Sequence, residues 1–359
     1  LRESIAFMDQ PSDIAVALSG GVDSSLAAAV LKTAGWEVHG VHFLLPSPSS
    51  VVEDRIEGVT RITEHLHIPL EVIDIRDDFE NLVVNPFVDA YLKGLTPNPC
   101  VSCNPLIKFE RLHRYILENE IHCLATGHYV RLGKGEEEGG IGLWRGRDLR
   151  KDQSYFLHRL DQTSLSRAVF PLGEMTKDEV RLRARDMGLP CHSNPESQEI
   201  CFISGMNYRR FVEQMRGIKV SKNGTIINKE GEVLGEHHGI HGYTIGQRHG
   251  LGIASSRPYY VKEIRSEVNQ VVVGRKEELF SVNVDAEDFN WIGRPPSKGV
   301  FKVQAQIRYR HKAAPGLLEV LSPDEVRFIF DKPQWGVTPG QALACYDGDR
   351  LLGGGWIVR

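Results

Sequence analysis

Ile14-Ala15-Val16-Ala17-Leu18-Ser19-Gly20-Gly21-Val22-Asp23-Ser24-Ser25 reads as a short apolar run, a tight polar loop and the opening of a helix. The apolar run 14–18 predicts a buried parallel strand. Residues 24–34 are rich in Ala and Leu, and Gly35 stands where a helix would stop. Two adjacent glycines let the backbone approach a ligand with no Cβ in the way. The following helix N-terminus offers free N–H groups and a positive dipole end. Ser19, Ser24 and Ser25 can add donors, so the stretch is a phosphate cradle on a strand-to-helix turn.

Outward from this loop, strand and helix patterns alternate. Residues 37–43, 70–75 and 123–127 predict strands; 52–66 and 105–118 predict helices. That alternation predicts an α/β doubly wound parallel sheet with helices on both faces. Segments 44–51 and 132–140 read as loops. After about residue 205 the pattern changes to short strand-like runs with many glycines. Residues 301–310 alternate, 326–330 form a strand, and 342–358 read as a hairpin around Asp347-Gly348. A small β-barrel closes such strands. The expected domains are 1–205, a small central unit at 206–277, and the barrel at 278–359.

The 359 residues are 41% hydrophobic and 25% charged, which excludes global disorder. No apolar run approaches the length of a membrane helix, and the N-terminal residues 1–10 lack a secretory apolar core, so a cytoplasmic location and no membrane partner are expected. Net charge is −4, unevenly spread. Residues 1–144 carry 11 basic and 21 acidic side chains; 145–185 carry 10 and 6; 206–275 carry 11 and 6. A polyanion could therefore bind across the middle of the chain.

The loop lacks the Gly-Lys-Ser/Thr of a Walker A motif and the Gly-x-Gly-x-x-Gly of a dinucleotide site. Asp23 would repel bare phosphate, so its expected role is through Mg²⁺ or as a helix cap. Ser19 to Ser25 resembles the pyrophosphatase loop of the N-type ATP pyrophosphatases, which activate a carbonyl oxygen by adenylation.

Cys100-Val101-Ser102-Cys103 follows two prolines and precedes a helix pattern. Such a pair has lowered thiol pKa values in that setting and suits a nucleophile or a metal ligand. A structural zinc site usually needs a second pair, and the sequence has none. Cys201 could join only if the fold returns residue 201 to residue 103. Cys123, Cys191 and Cys345 read as structural.

Further segments together resemble one family, the bacterial tRNA-specific 2-thiouridylases, which thiolate the wobble uridine of tRNA. They are residues 19–25, 96–104 with 107–109, 125–131, 151–157, 199–203, 245–253, 308–310, and 338–341 with 352–355, in the family's order along nearly the whole chain. The resemblance implies an adenylating N-terminal domain, a central domain and a C-terminal barrel. It implies ATP contacts at Ala17, Leu18, Ser19, Gly20, Gly21, Val22, Asp23, Ser24, Phe43 and Gly127. It implies target-base contacts at Asn98, Pro99 and Cys100. It implies tRNA contacts at His128, Lys151, Asp152, Gln153, Arg308, Tyr309 and Gln341. Cys103 falls at the family's catalytic cysteine and Cys201 at its persulfide carrier, with a Cys103–Cys201 disulfide formed in turnover. ATP and Mg²⁺ are the implied cofactors, and a sulfur-donor protein, a cysteine desulfurase or sulfur relay, is an implied partner.

The chemistry agrees. Uracil C2 carries a poor leaving group, and adenylation of its oxygen makes AMP the leaving group. The chain departs from the family at Cys100, where many members carry Asp, at Gln198-Glu199, where many carry Thr-Gly, and at Phe43, which replaces a Met and can still stack on a base. The third thiol raises a second possibility: Cys100, Cys103 and Cys201 as three ligands of an iron–sulfur cluster. Tyr309 could stack on a base, and His128 has the alternative of a hydrogen-bonded histidine after a strand.

Two rivals explain less. An amide-forming ATP pyrophosphatase accounts for the loop but not the cysteines. A non-catalytic tRNA-binding metal protein accounts for the charge pattern but not for Asp23 in a phosphate loop.

Overall fold

The computed structural model describes residues 12–135, 140–193, 200–203, 205–218 and 223–358. Gln198 and Glu199 lie outside the described residues, as does part of the 132–140 segment.

The N-terminal sheet is built from β1 (Asp13–Ala17), β2 (Glu37–Leu44), β3 (Leu70–Asp74), β4 (Cys123–Ala125) and, further along, Ala168–Val169. All its pairings are parallel, in the order β3-β2-β1-β4 followed by Ala168–Val169. Period-two alternation in β1 divides the core. Ile14 and Val16 pack with α1 (Val22–Thr33), α2 (Ser49–Leu66) and the helix Lys177–Asp186. Ala15 faces the other way, toward Leu112 and Ile116 of the helix Glu110–Glu118. The sheet is thus covered on both faces, and the strand order reverses beside β1, where α/β proteins bind ligands.

The predicted helix at 105–118 is subdivided. Pro99–Cys103 is α-helical, Asn104–Phe109 is π-helical, and Glu110–Glu118 is α-helical again. Pro105 cannot donate a backbone hydrogen bond, which favours a wider turn there. The predicted loop 44–51 is shorter, because α2 already starts at Ser49.

The central unit has four strands, Asn223–Ile227, Val233–His238, Tyr260–Arg265 and Gln270–Gly274. In the C-terminal region six strands, Phe280–Trp291, Val300–Gln306, Ala314–Val320, Val326–Trp335, Ala342–Asp347 and Arg350–Ile357, close on themselves through the pairing of the first with the last. Gly348, at φ +57°, makes the predicted turn of the last hairpin. The segment expected to be a loop near 132–140 instead contributes Val130–Lys134 and Ile141–Arg145, an antiparallel pair. This hairpin joins the barrel sheet, with Leu143 opposite Leu351. Among the described residues no helix is long and apolar enough to cross a membrane.

Candidate active site

The phosphate loop runs from the end of β1 into α1. Gly20 adopts φ +81°, a conformation that side-chain-bearing residues avoid. The serines, expected as ligand donors, are largely spent inside the loop. Ser24 and Ser25 hydroxyls donate to the Gly21 carbonyl at 3.2 and 2.9 Å, and Ser19 N–H donates to Ser24 Oγ at 3.1 Å. Gly127 abuts the loop: a Cβ there would lie 2.8 Å from Asp23 C and Ser24 N. The His42 ring contacts the Leu18 carbonyl at 2.7 Å and ties β2 to the loop's entry.

Asp23 caps no helix end. The N-cap position is Gly21, and no side chain caps it. Its carboxylate is held instead by Lys177 Nζ, at 2.7 and 2.8 Å, and by the Tyr129 hydroxyl at 2.6 Å. Lys177 is 5% exposed and opens the helix Lys177–Asp186, whose start is fixed by a capping box of Thr176 and Glu179. Neither Lys177 nor Tyr129 was expected from the sequence. A lysine after Met175-Thr176 reads as an ordinary helix start, and only the fold carries it back over 154 residues of chain.

Asn98 caps the Pro99–Cys103 helix, its side chain accepting from Cys100 N–H at 3.3 Å. Asn104 fixes the next turn by donating to the carbonyls of Cys100 and Phe156 at 3.0 and 3.3 Å. The barrel clamps this segment from outside. Gln341 Nε2 donates to the Thr96 carbonyl at 2.8 Å, and Thr96 N–H donates to the Pro339 carbonyl at 3.1 Å.

The three thiols share one electrostatic neighbourhood. Burial pushes Cys103 up to about 12, and it raises Cys100 and Cys201 as well. Cys100 and Cys201 keep exposed surface, but enough protein surrounds their sulfurs to desolvate them. In all three, the Lys108 ammonium is the largest opposing influence. Lys108 belongs to the 107–109 motif, but its charge was not singled out. No disulfide joins any of the six cysteines, so the Cys103–Cys201 bridge expected in turnover is not formed in this state. Among the described residues no three His, Cys, Asp or Glu side chains gather into a metal-ligand set. Phe43 packs against the apolar cluster that contains Cys103, Ile200 and Phe202, which joins the end of β2 to the thiols.

Several residues expected at a tRNA surface are turned inward. The His128 ring is 7% exposed, hydrogen-bonded to Thr126 Oγ1 at 2.7 Å and stacked near Phe109. Its pKa is driven well below the usual value by desolvation, with a lesser contribution from Lys108. Asp152 is buried and receives Arg145, Gly146 N–H, Ser154 N–H and the Ser154 hydroxyl. Gln153 Oε1 accepts from Tyr129 N–H at 3.0 Å. Tyr309 lies 4.3 Å from Phe156 between ring centroids, so its stacking partner is internal. Arg308 donates to the Trp335 carbonyl at 3.0 Å. Lys151 is half-buried on the turn after Asp148.

Full-length relatives share this arrangement's sequence throughout. The chain is 44% identical over 358 residues to the tRNA-specific 2-thiouridylase MnmA of Carboxydothermus hydrogenoformans, covering 96% of this chain and 97% of that protein. It is 46% identical to the protein of the same name from Desulforudis audaxviator, covering 96% and 98%. The chain belongs to the tRNA-specific 2-thiouridylase MnmA family. Three family profiles also match, described as a tRNA methyl transferase HUP domain (12–205), a tRNA methyl transferase PRC-barrel domain (209–275) and an aminomethyltransferase beta-barrel domain (281–357). Among solved structures, a U34-tRNA thiolase NcsA from Methanococcus maripaludis with its [4Fe-4S] cluster aligns with TM-score 0.36 and 18% identity, over 60% of this chain and 69% of that one. That likeness is too loose to extend the cluster to this family member.

Proposed function

We propose that this chain catalyses the ATP-dependent 2-thiolation of the wobble uridine of tRNA. The observation that carries the reading is the juxtaposition of two chemistries. The phosphate loop leaves β1 alongside β2, where Leu18 N–H donates to the Val41 carbonyl, and Phe43, two residues further on, packs with the cluster that holds Cys103. ATP bound at residues 17–24, Phe43 and Gly127 would present its α-phosphate to the uracil C2 oxygen. Adenylation of that oxygen releases pyrophosphate. The terminal sulfur of a Cys201 persulfide then attacks C2, and AMP departs with the former C2 oxygen. Cys103, as thiolate, attacks Cys201 Sγ. The S–S bond to the uridine sulfur breaks, 2-thiouridine is released, and a Cys103–Cys201 disulfide forms. An external thiol reductant restores both cysteines, and a cysteine desulfurase or sulfur relay reloads Cys201. Asn98, Pro99 and Cys100 border the base, and Gln341 holds their segment in place.

Mg²⁺ typically takes one or two carboxylates plus substrate phosphates, and Asp23 is the carboxylate that suits it. Bound there, the ion would supply screening of phosphate charge. Lys177 and Tyr129 orient that carboxylate. His128, Asp152 and Gln153 act from behind the surface, fixing the framework from which Lys151 can meet a phosphate.

The profile descriptions suggest methyl transfer as a second reading. Methyl transfer from a sulfonium donor needs neither a pyrophosphate-releasing loop nor a pair of thiols, so this site favours thiolation. Incubation of unmodified tRNA with the protein, ATP and a persulfide donor, followed by mass analysis of nucleosides, tests the proposal. Thiouridine formation with stoichiometric pyrophosphate is expected. A gain of one methyl mass, or no ATP consumption, would overturn it.

A further inference from the structure

The central unit and the barrel meet at a cleft of about 700 Å³ that the thiolation site does not use. That is within the roughly 300–1,000 Å³ usual for small-ligand sites. Its wall is aromatic. Phe280 and Trp335 stand directly opposite each other at the end of an antiparallel pair, and Tyr260 meets Trp335 edge to face at 6.4 Å. Its rim carries Lys276 and Arg248, whose Nε donates to His249 Nε2, and no carboxylate lines it among the described residues.

The rim is built, not incidental. Gly246 N–H donates to the Val261 carbonyl, and Val261 N–H donates to the Gln247 carbonyl, so the turn before Arg248 is pinned to a strand. Gly246 adopts φ +85°, and a Cβ there would lie 2.6 Å from the Trp335 ring. The turn can press against the indole only with glycine at this position. Behind the wall, Arg308 donates to the Trp335 carbonyl and its guanidinium lies 5.9 Å from the Trp335 ring. Phe280 is 45% exposed, which leaves its ring open to a ligand in the cleft.

We infer that this cleft binds one unstacked nucleotide of the tRNA outside the target uridine, its base on Phe280 and its phosphate against Arg248 and Lys276. Aromatic shelf plus cationic rim is how proteins take single-stranded nucleic acid irrespective of sequence. Residues 206–275, which supply one side of the cleft, hold 11 basic against 6 acidic side chains, a balance that attracts a polyanion. The inference rests on the tRNA reading above, and wild-type protein that bound no tRNA would defeat that reading first.

Equilibrium tRNA binding to the full chain, measured against salt, tests it. Loss of a base stack is worth roughly 5- to 150-fold in affinity. Phe280→Ala should weaken binding by at least about fivefold with an unchanged salt slope, and Phe280→Tyr should restore it. Arg248→Gln and Lys276→Gln should each lower the slope by about one. ATP affinity, read separately, should stay at the wild-type value and report intact folding. Photocrosslinking with 5-iodouridine-substituted tRNA should label the peptide bearing Phe280 or Trp335. Wild-type tRNA affinity and slope in all three loss variants would overturn the inference. So would wild-type tRNA binding combined with lost transfer from the sulfur-donor protein, which would assign the cleft to that protein instead.

Discussion

Lys177 Nζ lies 2.7 Å from Asp23 Oδ1 and 2.8 Å from Oδ2, with the Tyr129 hydroxyl completing the set at 2.6 Å. A buried ammonium thus stands at the entrance of the phosphate loop, fixed by the residue that the loop sequence made conspicuous. Removing Asp23 alone would leave that ammonium unpaired, so Asp23→Ala tests folding as well as chemistry. Asp23→Asn, which removes the charge but keeps an oxygen to accept from Lys177 and Tyr129, and Lys177→Met are the pair to compare. Each should reduce pyrophosphate release and thiolation more than about tenfold, because charge stabilisation at a transferring phosphoryl group is typically worth several kcal/mol. Filter binding should show tRNA affinity nearly intact. Persistent pyrophosphate release with lost tRNA binding would contradict both assignments.

The thiols give a second expectation. Cys103→Ser and Cys201→Ser should each abolish multiple-turnover thiolation, read as thiouridine per enzyme. Cys100→Asp, the commoner residue in the family, should remain active within a few-fold. Anaerobically purified protein should be colourless. Absorption in the iron–sulfur bands, lost together with activity in Cys100→Ala, would sink the two-cysteine scheme.

Burial, opposed by Lys108, shapes the pH dependence of sulfur transfer. Cys103 is neutral at pH 7 because burial raises it to about 12, and Lys108 opposes that shift. Thiolate population, and with it the single-turnover rate, should rise with pH between about 7 and 9, close to tenfold per unit when deprotonation limits. Lys108→Gln should move the whole profile to higher pH and slow alkylation of the same thiols. Unchanged alkylation rates would show that Lys108 does not act on them.

Acid stability follows from a buried histidine. His158 is fully buried, and desolvation lowers its pKa to about 4. A base depressed on folding contributes stability that is complete above its unfolded pKa of about 6.5. That contribution is lost as pH falls toward 4, amounting to roughly 2–3 kcal/mol. Denaturant midpoints should therefore drop between pH 6.5 and 4. His158→Gln should flatten that drop, and an equally steep loss in the variant would place its origin elsewhere.

Lys151 and Arg308 should now behave differently from each other. Lys151→Gln should weaken tRNA binding and lower the salt slope by about one. Arg308 is committed to the Trp335 carbonyl, and desolvation lowers its pKa. Arg308→Gln should chiefly lower the melting temperature, with any loss of tRNA affinity leaving the slope unchanged. Equal slope changes in both variants would return Arg308 to the interface.

What could be read from the sequence divides by range. The strand at 14–18, the glycine loop and the helix behind it depend on neighbours a few residues away, and local periodicity reveals them. The inward turn of His128, Asp152 and Tyr309 depends on Phe109, Arg145 and Phe156, partners that no local pattern specifies. Motif position marked these residues as important but not which way they face. Lys177 was invisible for the same reason. Residues 132–134 were read as part of a loop at 132–140 because the strand pair they belong to joins its sheet through a strand more than 200 residues later.

The π-helical segment Asn104–Phe109 makes residue number, and not only residue type, part of the active site. Five steps of an α-helix end about 140° away from the starting direction. The wider π turn shortens that gap, letting the residue five positions after Cys103 share its side of the helix. Relaxed into ordinary α-helix at the same length, the segment would carry the lysine that far around the axis from the cysteine. Every amino acid type needed for sulfur transfer would still be present, out of phase with the sulfur. The segment acts as a ruler, and a single-residue insertion within it should be tolerated far less than most substitutions on its exposed face.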